Sequence, residues 1–176
     1  MWNYIAGNTL TTRPTANFGT AVTASATNTY GSWVQILSAL EYNCYLLEIN
    51  INSIGASAQA RGAMVKIGID PAGGTSYQDW IPDLLCGQAA PFQGAYVTPG
   101  FHYSFPIFIP AGSTVAASIS GNFGSPSCRV SMKAWGQPSV PPQLGTYGVK
   151  VEALGITSAS SSGTSVTPGD TVDGSW

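Results

Sequence analysis

The chain has 176 residues, of which only 8% are charged, and its formal net charge is −2. That length suits one domain of ordinary size, whose core is large enough to be stable without disulfide bonds. So few charges give no basic patch that could bind nucleic acid or an anionic membrane surface, and neither partner is expected. The start of the chain lacks the basic and apolar regions of a secretory signal, and nowhere are there about 18 consecutive apolar residues. The sequence therefore predicts synthesis in the cytosol without a visible export signal.

The first 18 residues contain large apolar side chains that do not alternate regularly with polar ones. These side chains are Trp2, Tyr4, Ile5 and Phe18. Because a half-buried strand needs a period of two, we expect an extended arm over residues 1–18 rather than a strand. An untethered terminus is usually disordered, so the arm is expected to be held by a neighbouring subunit through these four side chains.

Alternating runs follow the arm and predict strands over residues 20–26, 33–38, 44–52 and 61–70. In the last two runs, an apolar residue recurs at every second position. One side of each strand is therefore expected to face a core and the other side to face outward.

A long irregular region is predicted over residues 75–100, with one short strand at 77–81. A loop of that length in a compact domain is usually functional or an interface. Its aromatic residues are Tyr77, Trp80, Phe92 and Tyr96. Aromatic rings beside carboxylates and amides could bind a saccharide. The same residues could be the buried anchors of a subunit contact, which is the interpretation we favour.

Residues 101–120 contain two alternating runs separated by Pro-Ala-Gly. The first run turns Phe101 and every second residue after it to one side. The second turns Val115, Ala117 and Ile119 inward, with the small and polar residues between them outward. This pattern predicts a β-hairpin. Further strands are predicted over 128–135 and 147–153.

Eight or nine short strands with turn signals between them, and no amphipathic helix, predict an all-β fold. We expect a jelly-roll-like antiparallel β-sandwich of about eight strands over residues 19–153, preceded by the N-terminal extended arm.

Residues 154–176 repeat the beginning of the domain. The sequence GTAVT at 19–23 recurs as GTSVT at 163–167, 144 positions later, and the Gly-Ser-Trp that ends at Trp33 recurs at the end of the chain. We interpret this segment as a linker followed by the start of a second, truncated copy of the domain.

The residue types that carry catalysis are few. His102 is the one histidine, and its parity places it opposite Phe101 and Tyr103, at a water-facing or interface position. A Ser-His-Asp relay would need a serine and a carboxylate beside it, and no G-x-S-x-G elbow accompanies it. A structural role is therefore expected for His102.

Glycoside hydrolysis needs two facing carboxylates, and Asp79 and Asp83 are close in sequence. Pro82 between them disfavours a shared helical face, so a catalytic pair is not expected. With Asp70 they could line a calcium site built from loop oxygens, although the D-x-D-x-D-G spacing is missing. Turn and capping roles are the expected ones. We expect no catalytic residue, no metal and no cofactor.

Three cysteines form no C-x-x-C arrangement and are expected to be free thiols. The alternation places Cys44 on the polar side of its strand, Cys86 in the long loop and Cys128 in the core.

Four segments and one arginine form a recognisable pattern: GSWVQIL at 31–37, Arg61 followed by VKIGIDPAGGTSY at 65–77, IPDLLCGQA at 81–89 and YSFPIFIPAGSTVAASI at 103–119. Together they resemble a β-domain of virion structural proteins of tailed bacteriophages. Proteins of this kind are head-decoration, tail or fibre proteins, and some carry two such domains in tandem. The resemblance covers roughly residues 10–154. It implies a particle-building role without enzymatic activity, and it brings no catalytic motif.

We therefore expect a non-enzymatic virion structural protein, assembled in the host cytoplasm and docked on the particle through its N-terminal arm and loops. The expected partners are other virion proteins, such as the major capsid protein or a tail adaptor, and further copies of the chain in a homotrimer. The rival interpretation is a receptor- or glycan-binding module of a tail fibre, which would bind a host glycan.

Overall fold

The computed structural model of the chain describes residues 3–7, 19–52, 61–88, 100–124, 126–137, 148, 150–152 and 154. Nine β-strands and no helix occur in those ranges. In chain order the strands are β1 (Asn3–Gly7), β2 (Thr20–Thr23), β3 (Val34–Leu37), β4 (Asn43–Asn52), β5 (Arg61–Asp70), β6 (Gln78–Gln88), β7 (Phe101–Phe105), β8 (Thr114–Gly121) and β9 (Ser127–Gln137).

The nine strands form two antiparallel sheets. In the first sheet, β1 and β2 share one edge of β9, and the order continues through β4 to β7. In the second sheet the order is β3, β8, β5, β6. From β2 to β9 the chain changes sheet at every connection except the one between β5 and β6, which is the strand order of a jelly roll. The prediction of an all-β, jelly-roll-like sandwich is confirmed.

The core lies between the two sheets and is almost wholly aliphatic. Ile49 and Ile51 of β4 face Val65 and Ile67 of β5 in this core, and all four are fully buried, as their alternation predicts. Burying one such side chain contributes about 1.5–3 kcal/mol. The packing between the sheets therefore fixes the backbone beneath both outer faces.

Residues 101–120 do not form the predicted hairpin. β7 pairs with β4 in the first sheet, whereas β8 lies in the second sheet between β3 and β5. The connection crosses between the sheets, and there the Gly112 N–H donates to the Leu40 carbonyl. The alternation identified the buried side of both runs correctly. Two strands that face each other across a core, however, have the same pattern as two strands paired in one sheet.

The second side of β8 is also buried, although its period predicted an outward side. Ala116, Ser118 and Ser120 are at most 1% exposed. The segment between β2 and β3 lies against this side, where Ser118 Oγ donates to the Gly31 carbonyl at 2.7 Å and the Gly31 N–H donates to the Ile119 carbonyl. The small residues of β8 are thus covered by the chain itself.

The N-terminal segment is not wholly an irregular arm. Residues 3–7 form β1, which pairs with β9 from Asn3↔Gly136 to Gly7↔Lys133. The pairing register shifts between Tyr4 and Ala6. A bulge of this kind breaks the period of two, which is why the sequence showed no alternation there.

β6 extends through most of the segment predicted to be irregular. It pairs with β5 as far as Gln88, whereas a strand was predicted only over 77–81. The register shifts twice near Pro82, and Asp83 has a positive φ of 52°. These irregularities accommodate a proline within the ladder and hide the strand from a simple periodicity argument.

All three cysteines are free and buried. The predicted positions of Cys44 and Cys86 are wrong: a bulge between Cys44 and Leu46 turns the first thiol into the core, and the second lies on β6. Burial raises the pKa of the Cys44 and Cys128 thiols to about 12. It also raises the pKa of the Cys86 thiol. Thiols held neutral in this way are unreactive.

The described residues after β9 attach to the sandwich at two points. Gly148 forms an isolated bridge with Ile107, and the Val151 N–H donates to the Trp80 carbonyl. The strand predicted over 147–153 is therefore a bridge at its described positions. The proposed second copy, from residue 155 onward, lies outside the described residues.

Candidate functional site

The outer face of the second sheet carries a group of aromatic and ionic side chains, which we call the outer cluster. Its members are Tyr30, Trp33, Lys66, Tyr77, Asp79 and Asp83.

The outer cluster is built around the indole of Trp33. The ring lies against β5 at Gly68, where an added Cβ would come within 2.8 Å of the indole. The Tyr77 ring contacts the indole with a centroid distance of 5.9 Å and an interplanar angle of 51°. A glycine on β5 thus lets the indole approach the sheet closely.

Lys66 connects the aromatic and acidic parts of the outer cluster. Its Nζ lies 4.6 Å from the Trp33 ring centroid and 4.7 Å from the Tyr30 ring centroid. The same ammonium lies 3.2 Å from Asp79 Oδ1. The Lys66 side chain is 19% exposed and that of Asp79 is 49% exposed. An ion pair this open to solvent contributes about 0–1 kcal/mol, so the rings hold the ammonium as much as the carboxylate does.

Tyr30 joins the outer cluster to the irregular part of β6. Its hydroxyl donates to Asp83 Oδ1 at 2.5 Å. Burial raises the pKa of the Tyr30 phenol, and the hydrogen bond to Asp83 and the negative charges nearby raise it further. The phenol therefore stays protonated and continues to donate at neutral pH.

The outer cluster holds the segment between β2 and β3 against the second sheet. Tyr30 and Trp33 belong to that segment, whereas their partners lie on β5 and β6 or precede β6 directly. The result is a preorganised surface of rings beside charged groups, an arrangement that can bind a polar ligand with apolar patches.

The four aromatic residues predicted for a ligand or an interface are not brought together. Tyr77 contacts Trp33 in the outer cluster, whereas Trp80 packs against the core. Phe92 and Tyr96 lie outside the described residues. The pattern missed Trp33, although its place in the repeated Gly-Ser-Trp was a signal that could have found it.

Two of the four predicted interface residues lie in the described part of the chain. Tyr4 and Ile5 belong to β1, whose backbone pairs with β9 of the same chain. Trp2 and Phe18 lie outside the described residues.

The three aspartates considered for calcium have separate partners. The Asp70 carboxylate accepts hydrogen bonds from the Ala72 and Ser76 backbone N–H groups, which is the expected turn role. Asp79 pairs with Lys66, and Asp83 accepts from Tyr30. Within the described ranges, no group of three or more histidine, cysteine, aspartate or glutamate residues is placed to hold a metal ion.

His102 lies on the outer face of the first sheet, exposed as its parity predicted. Its Nδ1 is 2.9 Å from Asn50 Oδ1, and its Nε2 is 3.2 Å from Ser104 Oγ. A serine therefore lies beside the imidazole, and the group at its other nitrogen is an amide, where a Ser-His-Asp relay would have a carboxylate.

No family model, curated protein or solved structure matches the chain. Among the described residues, there is no helix long and apolar enough to cross a membrane.

Proposed function

We propose that the chain is a non-enzymatic structural protein of a bacteriophage virion, a capsid-decoration, head-fibre or tail-fibre module assembled in the host cytoplasm. The observation that carries this proposal is where the four resemblance segments lie. They contain β3 and most of β5, β6 and β8, which are the four strands of the second sheet, and the last segment also includes residues 103–105 of β7 in the first sheet. Segments scattered over the sequence thus come together mainly in one sheet, which supports a resemblance in architecture rather than in isolated turns.

The proposed role is mechanical. Side chains near the N terminus, with residues of the loops, bury surface against the major capsid protein or a tail adaptor and against copies of the chain in a trimer. Because only 8% of the residues are charged, such contacts bury few ions and cost little desolvation free energy.

The position of β1 changes how docking would occur. Residues 3–7 pair with β9, so the β1 edge of the first sheet is part of the proposed docking surface, and Trp2 and Phe18 remain proposed anchors. An edge strand exposes backbone groups that a neighbouring strand can pair with.

The test is occupancy of purified particles by variants of the chain. Replacing Trp2 and Phe18 together by Ala should reduce the copy number per particle at least about tenfold if they are buried anchors. Replacing the exposed Gln35 by Ala is the matched control, and circular dichroism should show both variants folded. Full occupancy by the double variant, and by a chain that lacks residues 1–18, would contradict the proposal.

A second candidate, a receptor- or glycan-binding module of a tail fibre, is favoured by the contact of Trp33 with Tyr77 beside Lys66 and Asp79. Glycan-array binding that disappears in Tyr77→Ala and persists in Gln35→Ala would support this candidate. An array without any bound glycan would exclude it in favour of the docking role.

A further inference from the structure

Three polar side chains lie in line on the outer face of the first sheet. They are Asn50 of β4 and His102 and Ser104 of β7, joined by the two contacts of 2.9 and 3.2 Å to the two imidazole nitrogens. His102 and Ser104 are exposed, and Asn50 is partly buried. The imidazole thus has a side-chain partner on each nitrogen and remains open to small molecules in solution.

The partners determine which imidazole nitrogen carries the proton. An amide oxygen only accepts, so the Nδ1–H of neutral His102 donates to Asn50 Oδ1. Nε2 then has its lone pair free to accept the Ser104 O–H. Serine and cysteine hydrolases use this same order of groups, with an Asp or an Asn orienting the histidine.

The sheet fixes the three groups from beneath. His102 and Ser104 are two residues apart on one strand and share a face, and Asn50 is the cross-strand partner of His102. The other sides of the same strands pack into the sandwich, with Ile49 fully buried and Tyr103 against the core. The contacts therefore do not depend on a mobile loop.

The charged residues around this row have both signs. Glu48 is the cross-strand partner of Ser104, and Lys133 of β9 is the partner of Glu48 on its other side. Arg129 lies across from Asn52 at the end of β4. The ionic side chain nearest to Ser104 in the register is thus the Glu48 carboxylate.

We propose that Ser104 is a nucleophile that accepts an acyl group from small activated esters, with His102 as its general base. Ser104 Oγ forms a bond to the ester carbonyl carbon while its proton passes to His102 Nε2. The bond from that carbon to the leaving oxygen breaks, and the leaving oxygen takes the electron pair and the proton from Nε2. The acyl group then stays on Ser104 Oγ as an ester, so the reaction is stoichiometric and the chain turns over no substrate.

Asn50 acts through His102 and is a positioning residue.

General-base assistance by a group such as His102 accelerates acyl transfer by about 100- to 10,000-fold. The reaction is independent of the proposed particle-building role, since an exposed serine can be acylated on an assembled or a free chain.

The test uses the full chain, 4-nitrophenyl acetate as the acyl donor, and mass mapping of the acetylated residue. We expect a single acetyl group on Ser104, its loss in Ser104→Ala, and acetylation at least about tenfold slower in His102→Gln. Ser38→Ala, which removes another exposed serine, is the matched control and should react at the wild-type rate. An unlabelled Ser104 in the wild-type chain, or equal labelling in His102→Gln, would overturn the proposal.

The pH profile separates positioning by Asn50 from a merely structural role. Acetylation should increase with pH because general-base catalysis needs the neutral imidazole. Asn50→Asp should move that increase to higher pH and speed acetylation on its plateau, because a carboxylate stabilises the imidazolium. Asn50→Ala should slow acetylation without changing the melting temperature. A profile that is the same in all three proteins would contradict the role of Asn50.

Discussion

The outer faces of the two sheets differ in how far the described residues cover them. On the second sheet, the segment between β2 and β3 lies over the sheet, and Ala116 and Ser118 beneath it are completely buried. On the first sheet, His102, Ser104 and Lys133 stand exposed on strands of similar regularity. The covered face thus contributes to folding, although the rings of the outer cluster remain partly exposed on it. The open face, by which we mean the exposed side chains of the first sheet, presents polar groups that can meet another molecule directly.

Displacing the segment between β2 and β3 from the second sheet should lower the stability of the protein most. A Cβ at Gly31 would lie 2.0 Å from the Thr23 carbonyl oxygen, and Gly31 also makes two hydrogen bonds to β8. We expect Gly31→Ala to lower the free energy of unfolding by about 3 kcal/mol or more, because backbone must move to relieve the clash. Chemical denaturation measures the change. Gly124→Ala, where an added Cβ meets nothing within 4 Å, is the control, and an equal loss in both variants would contradict the argument.

Removing the Trp33 indole should weaken the attachment of the segment between β2 and β3 without straining the backbone. Trp33→Ala loses the contacts with Gly68, Tyr77 and Lys66. Because Trp33 is only partly buried, we expect a loss of about 2–3 kcal/mol, at or below the low end for a fully buried aromatic residue. Gln35→Ala, an exposed change on the neighbouring strand, should alter stability by less than about 0.5 kcal/mol. If the denaturation curves of the two variants coincide, the outer cluster does not hold the segment between β2 and β3 against the second sheet.

The hydrogen bond from Tyr30 to Asp83 should contribute less, and its contribution should depend on pH. Tyr30→Phe removes a bond to a carboxylate, and we expect a loss of about 1.5–3 kcal/mol at neutral pH. The pKa of the Tyr30 phenol is raised by burial and by Asp83, so the folded state favours the protonated phenol. Its stabilisation is complete below about pH 10 and is lost as pH rises further.

The measurement is the free energy of unfolding of both proteins from about pH 7 to about pH 11, a range that includes the titration of an ordinary phenol. The buried cysteines are common to both, so the difference in slope above about pH 10 isolates Tyr30. Identical slopes in the two proteins would contradict the assignment.

The open face should be the least sensitive to change. His102→Ala and Ser104→Ala remove exposed side chains from the first sheet, and each should change the free energy of unfolding by less than about 0.5 kcal/mol. Thermal unfolding would check this directly. A loss as large as that of Trp33→Ala would mean that the two faces do not differ as described.

The same comparison shows what the sequence could and could not predict. Alternation found the buried sides of β4, β5, β7, β8 and β9, because a period of two depends only on which side meets the core. Alternation does not show in which sheet a strand lies, and for that reason the predicted hairpin of β7 and β8 was wrong. It also failed at Cys44, Tyr4 and Pro82, where a bulge changes the parity.

The candidate sites were less predictable than the fold. The outer cluster joins Trp33 to Tyr77 and Lys66 across distant parts of the sequence, and no local pattern encodes such contacts. The parity of His102 was correct, but its contact with Asn50 depends on the pairing register of β4 and β7, which residue spacing along one strand does not contain.

The sharing of one edge of β9 by two short strands has a mechanical consequence. β1 covers Lys133 to Gly136, while β2 covers Ser127 to Val130 and is anchored by the fully buried Val22. A force on the N terminus, directed away from the sheet, would break the backbone pairing of β1 with β9 one residue pair at a time. β1 could separate from β9 under such a load while β2 kept the sandwich closed, so the N-terminal strand would yield before the sandwich unfolds.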